Sequence, residues 1–387
     1  MLEGIRVVEV GVWVAGPSAG GLLAEWGADV IKVETEAGDP MRRVFSLISG
    51  HGQPESPPFD LDNRGKRSVV LDLGRDDGQA AMSALLATAD VFVTNLRPEA
   101  TERLGLGPDA LLEAHPSLVY ASVTGYGRAG PDAHRAGYDV GAFWARSGIA
   151  RTITPEDDPV LDIRSGLGDH VTGITTAAGI VTALLERERS DDGHGGLVET
   201  SLLRTGMYCL GWDLGIQLRF DKLAPTMRRE RLQNAMCNSY RAADGQWFWL
   251  LGVESDRMWP KLVAAIARPD LAEDERFATG RGRRHHADEV VAELDAVFAA
   301  APMALWTDRF DAHDVWWAPA NTAEEAVADP QALAAGAVVD VPEGEGAPAH
   351  RAIATPVVFG GRPTEPAGPV PGLGQHTTEV LEELGLA

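Results

Sequence analysis

The sequence predicts an α/β fold built on a mostly parallel sheet, followed by a smaller α+β domain. Two observations carry this. Through the first half, short apolar runs alternate with stretches of helical periodicity, the pattern of a sheet covered on both faces. From about residue 227 the pattern becomes helix-rich and dense in tryptophan. A chain of 387 residues with 44% apolar content has room for two such cores.

Taken in order, residues 5–10 (IRVVEV) read as the first strand and 11–17 as a loop. Residues 18–26 read as a helix capped by Ser18, and 30–33 as the second strand. The third strand is 68–73 (SVVLDL), followed by a helix through Met82, Leu85 and Leu86. Residues 91–94 and 118–124 (LVYASVT) supply the fourth and fifth strands. After Gly166-Leu167-Gly168-Asp169-His170, the residues Val171, Ile174, Ala178, Val181 and Leu185 follow at helical spacing and predict a packed helix. A strand at 197–200 and an apolar helix through Leu203, Met207 and Leu210 complete this half. Residues 219–226 read as a linker. Residues 227–325 read as the smaller domain, with Trp247, Trp259, Trp306, Trp316 and Trp317 mainly packing its core. The run 281–286 (RGRRHH) reads as a solvated turn. A Pro/Gly-rich segment at 360–374 leads to a last helix at 377–384.

Composition narrows the function. A formal charge of −23 argues against nucleic acid or an anionic membrane as partner. Cys209 and Cys237, the only cysteines, have no metal-type spacing and read as small buried hydrophobes. No metal site is expected. The N-terminus runs directly into a strand without a basic region or long apolar run, so a cytoplasmic location is expected. The first β/α loop does not match G-x-G-x-x-G, and G-x-x-x-x-G-K-[ST] and G-x-S-x-G are absent. The expected sheet is Rossmann-like, yet its usual nucleotide cofactors are not announced.

Ligands of such sheets bind beyond the carboxyl ends of the strands. The segments there carry Arg42, Arg43, Asn95, Arg97, Arg103, Arg128 and Arg135, with Asn63-Arg64-Gly65-Lys66-Arg67 before strand three. Clustered arginines in an acidic chain suggest an anionic, phosphate-bearing ligand; the alternative is surface pairing with abundant carboxylates. Asp169, at or just before a helix start, reads either as a structural N-cap or as a carboxylate held by free backbone N–H groups.

An ordered series of motifs extends over nearly the whole chain: VAGPSAGGLLAEWGADVIKVE, GDPMR, NRGKRSVVLDL, VTNLRPEATERLGL, ASVTGYGRAGP, AGYD, the GD at Asp169, NSYRAADGQWFWL, DERF, ADPQALAAGAVVDV and GQHTTEVLEELG. The series resembles the family III CoA-transferases, a group that includes formyl-CoA and carnitine CoA-transferases and α-methylacyl-CoA racemases. The resemblance implies that Asp169 is the nucleophile accepting first an acyl group and then CoA. It implies acyl-CoA and a carboxylic acid as substrates, with no tightly bound cofactor. The implied CoA contacts are Val14, Ala15, Arg42, Leu71, Asp72, Leu73, Asn95, Leu96, Arg97, Arg103, Tyr138 and Asp139. An interlocked homodimer is also implied, with a large Rossmann-like domain over 1–222, a small one over 227–325 and a segment, 326–387, returning to the large domain.

Three departures matter. Val14 stands where formyl-CoA transferase has glutamine, LQNAM at 232–236 replaces its polyglycine flap, and Gly74 lies near the place of a basic residue. Together they argue against formate or oxalate as substrate. The racemases carry a histidine where this chain has Tyr138, and a tyrosine, ionising near about 10, is a poor base at neutral pH. Transferase is therefore the first expectation; a racemase-type isomerase and a non-catalytic acyl-CoA-binding protein are the alternatives. His134 and His170 read as surface or hydrogen-bonded structural residues.

Overall fold

A computed structural model describes residues 1–44, 56–361 and 365–386. Residues 45–55 of the expected large domain, 362–364 of the Pro/Gly-rich segment and residue 387 lie outside the described residues. The chain divides into one unit of residues 1–151, 160–223 and 334–387 and a second of 152–159 and 224–333.

Among the described residues, the main sheet of the first unit has six strands: β1 (Arg6–Val10), β2 (Asp29–Glu34), β3 (Arg67–Val70), β4 (Val91–Thr94), β5 (Val119–Thr124) and β6 (Gly196–Ser201). They pair in parallel in the order β3-β2-β1-β4-β5-β6. Its main helices are α1 (Ala15–Glu25), α2 (Pro57–Asn63), α3 (Asp76–Leu86), α4 (Pro98–Arg103), α5 (Pro108–Ala114), α6 (Leu167–Arg189), α7 (Leu202–Cys209) and α8 (Gly211–Phe220), with a π-helical segment at Tyr138–Ala145.

Neighbouring strand residues enter opposite layers. Val8, Ile31, Phe92 and Tyr120 pack with Met82, Leu85 and Leu86 of α3. Val7, Val30, Val91 and Val119 pack with Leu22 and Leu23 of α1 and with Ala177, Ile180 and Leu184 of α6. Burial on both faces explains why β4 and β5 are mostly apolar without alternation.

Several expectations change. Helix α1 begins at Ala15, so most of the expected loop is only 11–14, and Ser18 lies inside the helix, its hydroxyl donating to Ala15 O at 3.1 Å rather than capping. Strand β3 ends at Val70, before the expected boundary. The buried face of α6 is not the apolar stripe but Gly168, Thr172, Gly173, Thr176, Ala177, Ile180 and Leu184; Ile174 and Leu185 are exposed. The reason is close packing on α1, where a Cβ at Gly173 would fall 1.9 Å from Ser18 Oγ. Thr172 and Thr176 bond their hydroxyls back to Gly168 and Thr172 carbonyls, leaving methyls for the interface.

The second unit packs α9 (Ser255–Ala265), α10 (Ala287–Phe298) and α11 (Met303–Ala312) with an antiparallel sheet of β7 (Ser239–Arg241), β8 (Trp247–Leu250) and β9 (Trp317–Pro319). Phe248, Phe298, Phe310 and Trp306 stack at its core. Trp259 is buried, but Trp247 and Trp316 are exposed, so tryptophan does not serve core packing alone. The expected solvated turn at 281–286 overlaps a short helix, Gly280–His285, whose Arg283 is buried. That guanidinium donates to Asp256 at 2.6 Å and to Phe277 O at 2.7 Å, which compensates its burial. Cys209 is exposed and Cys237 half-buried, contrary to the reading of both as buried hydrophobes. In the first unit, β10 (Val338–Val341) and β11 (His350–Ile353) form a hairpin, and α12 (Thr377–Glu383) packs Val380 under the sheet.

Candidate active site

The strand order reverses between β1 and β4, the point at which parallel sheets open a crevice. The two loops there are tied together by Asn95, whose Oδ1 accepts from Val12 N–H at 2.9 Å and whose Nδ2 donates to Val12 O at 2.6 Å. Behind them a buried charge cluster fixes the β1 loop. Lys32 donates to Glu9 at 2.8 Å and to Gly11 O at 2.9 Å, and lies 3.0 Å from Asp39. Asp39 in turn accepts from Trp13 N–H at 3.1 Å and Met41 N–H at 2.9 Å. Lys66 reaches Glu9 at 2.7 Å, Pro17 O at 2.8 Å and Asn63 at 2.9 Å. Burial alone raises Glu9, but Lys32 and Lys66 outweigh it and hold the carboxyl below its usual range. Trp13 (φ +67°) and Tyr138 (φ +45°) are held in left-handed backbone, and their rings meet edge to face at 6.3 Å.

Two cavities open at this crevice. One, of about 370 Å³, is lined by Val12 to Ala15, Asn95 to Pro98, Tyr138 and Asp169, among others. The other, of about 220 Å³, is lined by Leu71, Asp72, Leu73, Thr35 and again Val12 and Leu96. Asp169 is the one acid lining the larger cavity among the described residues, and Arg97 and Arg135 are its cations.

Asp169 is neither an N-cap nor a residue just before the helix. The cap of α6 is Gly166, in left-handed backbone (φ +85°), and Asp169 lies in the first turn. Nor does the helix start keep it ionised. The Gly168 N–H donates to both oxygens of Asp139, each at 3.2 Å. The Gly166 and Asp169 backbones also favour the ionised Asp139 carboxylate, which thus sits at the helix N-terminus. A Cβ at Gly168 would lie 2.2 Å from the Phe143 ring and 2.4 Å from Asp139 Oδ1, so only glycine admits this approach. Burial pushes Asp169 up to about 7, with Asp139 and Asp62 adding to the rise and His170 opposing it. Burial also raises Asp139, against the pull of the N–H donors.

Of the residues picked out from sequence, the larger cavity brings together Val14, Ala15, Asn95, Leu96, Arg97, Tyr138 and Asp169, while Leu71, Asp72 and Leu73 line the smaller. Arg42, Arg103 and Asp139 line neither. The Arg42 guanidinium is committed to Glu34 at 2.6 and 2.8 Å and Pro371 O at 3.0 Å, with its plane over Phe59. Arg103 is exposed at the end of α4. Much of the basic scatter is structural: Arg64 pairs with Glu25, Lys66 with Glu9, and Arg67 with Asp29 and Glu383. Trp13 escaped the sequence reading, though it precedes Val14. So did Asp62, whose partner His170 is 108 residues away, a pairing no local pattern signals.

A family profile described as CoA-transferase family III matches residues 2–377. The cinnamoyl-CoA:phenyllactate CoA-transferase of Clostridium sporogenes is 32% identical over 394 residues, covering 100% of this chain and 93% of that protein. The succinate–glutarate CoA-transferase of Agrobacterium fabrum is 33% identical over 397 residues, covering 99% of this chain and 95% of its own length. The crystal structure of a CAIB/BAIF family protein from Brucella suis superposes with a TM-score of 0.87 at 30% identity, covering 99% of each chain. With its sheet crevice and full-length likeness to such enzymes, the chain belongs to CoA-transferase family III and is a CoA-transferase acting on acyl-CoA.

Proposed function

We propose that the protein moves CoA from an acyl-CoA to a free carboxylic acid through covalent intermediates on Asp169. The observation that carries this reading is a half-buried carboxylate, pushed up to about 7, that is the one acid lining the larger cavity at the switch point among the described residues. An Asp169 oxygen attacks the thioester carbonyl, the C–S bond breaks, and CoA leaves as thiolate, giving a mixed anhydride. The thiolate attacks the Asp169 side-chain carbonyl and expels the donor acid as carboxylate, leaving an aspartyl-CoA thioester. The acceptor carboxylate attacks that thioester and releases the thiolate. The thiolate then takes the new acyl group and frees Asp169.

In this reading the larger cavity holds the thioester and the smaller, at Leu71 to Leu73, the nucleoside end. Arg97 lines the larger cavity next to Leu96, which lines both, and is placed to meet phosphate. Phenyllactate and glutarate, named for the relatives, bracket acceptors that are apolar or dicarboxylic. A second copy of the chain completes the assembly. Helix α8 buries none of its residues, and Trp212 is 84% and Leu218 88% exposed, an apolar surface of the kind that associating subunits cover.

The test is incubation with an acyl-CoA, trapping by hydroxylamine or borohydride, and peptide mass spectrometry. Modification of Asp169, lost in Asp169→Ala with CoA binding retained, supports transfer. Exchange of an α-proton into heavy water without modification indicates isomerase chemistry, and neither result indicates binding alone. Full activity of Asp169→Ala overturns the reading.

A further inference from the structure

The histidine next to the nucleophile is unlike a surface residue. His170 Nε2 lies 3.1 Å from Oδ1 of Asp62, a carboxylate whose side chain is 3% exposed, at the end of α2. The other Asp62 oxygen has no hydrogen-bond partner among the described residues, so His170 is what compensates this buried charge. Asp62 is held in turn, because its neighbour Asn63 bonds Phe59 O at 2.9 Å and Lys66 at 2.9 Å. The His170 ring packs over Gly166, where a Cβ would fall 3.3 Å from Cε1, and the Gly166 backbone favours its charged form. No hydrogen bond joins His170 to Asp169 among the described residues. The ring does not line the cavity.

We propose, on the reading of Asp169 as nucleophile, that His170 braced by Asp62 is a positioning residue: an imidazolium that keeps Asp169 ionised by charge alone. Because it does not bond Asp169, both oxygens of the nucleophile stay free for attack.

Arg97 and Arg135 line the same cavity as Asp169, but among the described residues His170 is the cation whose charge bears on its carboxyl. Three carboxylates converge here: Asp62 from α2, Asp139 from the π-helical segment and Asp169 from α6. Behind Asp62, Lys66 is spent on Glu9, Pro17 O and Asn63. Helix α1 presents Ser18 and Ala19 to α6, β6 presents Thr200, and Arg204 of α7 is exposed. The hydrogen bond that its Nε2–H donates to Asp62 raises His170 above the ordinary imidazole range despite burial, with Asp62 and Asp169 charges assisting.

The experiment is single-turnover acylation of Asp169 followed by intact-protein mass spectrometry across pH 5.5–9. Wild type shows an acid limb near the Asp169 value of about 7. In His170→Asn the limb moves up by about one pH unit, a roughly tenfold slower reaction at pH 6 with little change at pH 9. His170→Lys, which keeps a cation, moves the limb back toward wild type. A uniform fall at every pH, or an unmoved limb, overturns the proposal and marks a structural role. Failure of wild type to acylate at any pH sinks the reading of Asp169 itself and this proposal with it. If His170→Asn does not fold by circular dichroism, the His170 ring is titrated by NMR in wild type and Asp62→Asn. A value above the imidazole range that falls in Asp62→Asn supports the brace; a neutral ring at pH 7 in wild type overturns it.

Discussion

Asp139 and His170 act on Asp169 with opposite sign, so Asp139→Asn is the sharper test of the site's electrostatics. The carboxylate of Asp139 takes the Gly168 N–H at 3.2 Å on each oxygen and raises Asp169, second only to burial. Asparagine keeps the shape and one acceptor oxygen while removing the charge. For a partly screened site, an effective dielectric constant of about 40 and a separation of about 6 Å give roughly 1.4 kcal/mol, or about one pH unit. The Asp169 value then falls from about 7 to roughly 6. At pH 6 the ionised fraction rises from about one-tenth to about one-half, so acylation of Asp169 accelerates roughly fivefold, and at pH 8 it hardly changes. The assay is the rate of adduct formation with excess acyl-CoA, read by mass at each pH. Helix α6 loses a charged acceptor at its N-terminus, so a stability loss of about 1 kcal/mol accompanies the gain. An acid limb that stays put, or moves upward, refutes the claim that Asp139 burdens the nucleophile.

Other outcomes follow from the same geometry. Asp169→Asn abolishes transfer and stabilises the fold at pH 8. The folded value of Asp169 is raised, so the folded state holds a proton that the unfolded state has released, and stability falls as pH rises from about 4 to about 7. Thermal melts should show a gain on the order of 1–2 kcal/mol at pH 8, after discounting for solvent screening, that fades near pH 4. Gly168→Ala drives a methyl into Phe143 and Asp139 and should cost about 1–3 kcal/mol in denaturant unfolding together with most of the acylation rate. Trp212→Glu on α8 should shift the species seen by light scattering toward smaller mass if that helix faces a second copy.

Sheet and crevice were legible from sequence because both rest on local patterns. The strands VFVT and VYASVT are mostly apolar without a period-two alternation, the pattern of a run buried on both faces. Glycine-rich helices were less legible. The segment AGPSAGG looks like a loop, yet it is helix because α1 is enclosed by neighbours that need its small residues. Helix α6 misleads for the same reason, since threonine and glycine form its inner face while isoleucine and leucine lie outside. At the site, ordered motifs identified Asp169 and the loops around it. What they left out was charge balance: Arg42 and Arg67 look like ligand contacts in sequence and are consumed by Glu34 and Asp29 in the fold. Pairings such as His170 with Asp62 depend on which helices meet, and no spacing along the chain encodes that.

The charge arrangement also bears on where the reaction cycle rests. In the proposed cycle Asp169 is anionic only as the free nucleophile; as anhydride or thioester its side chain is neutral, as it is when protonated. Burial and the nearby Asp139 and Asp62 disfavour the anion and leave the neutral forms comparatively untouched. Each unit by which the site raises this carboxyl therefore favours the covalent states over the free one by about 1.4 kcal/mol, roughly tenfold. The same rise lowers the fraction of reactive anion at neutral pH, so the two effects oppose each other in rate. A value near 7 leaves about half of the carboxylate available at pH 7 while keeping it poorly solvated. On this reasoning Asp139 and His170 set the balance between them, and removing either charge trades occupancy of the covalent states against the population of the nucleophile.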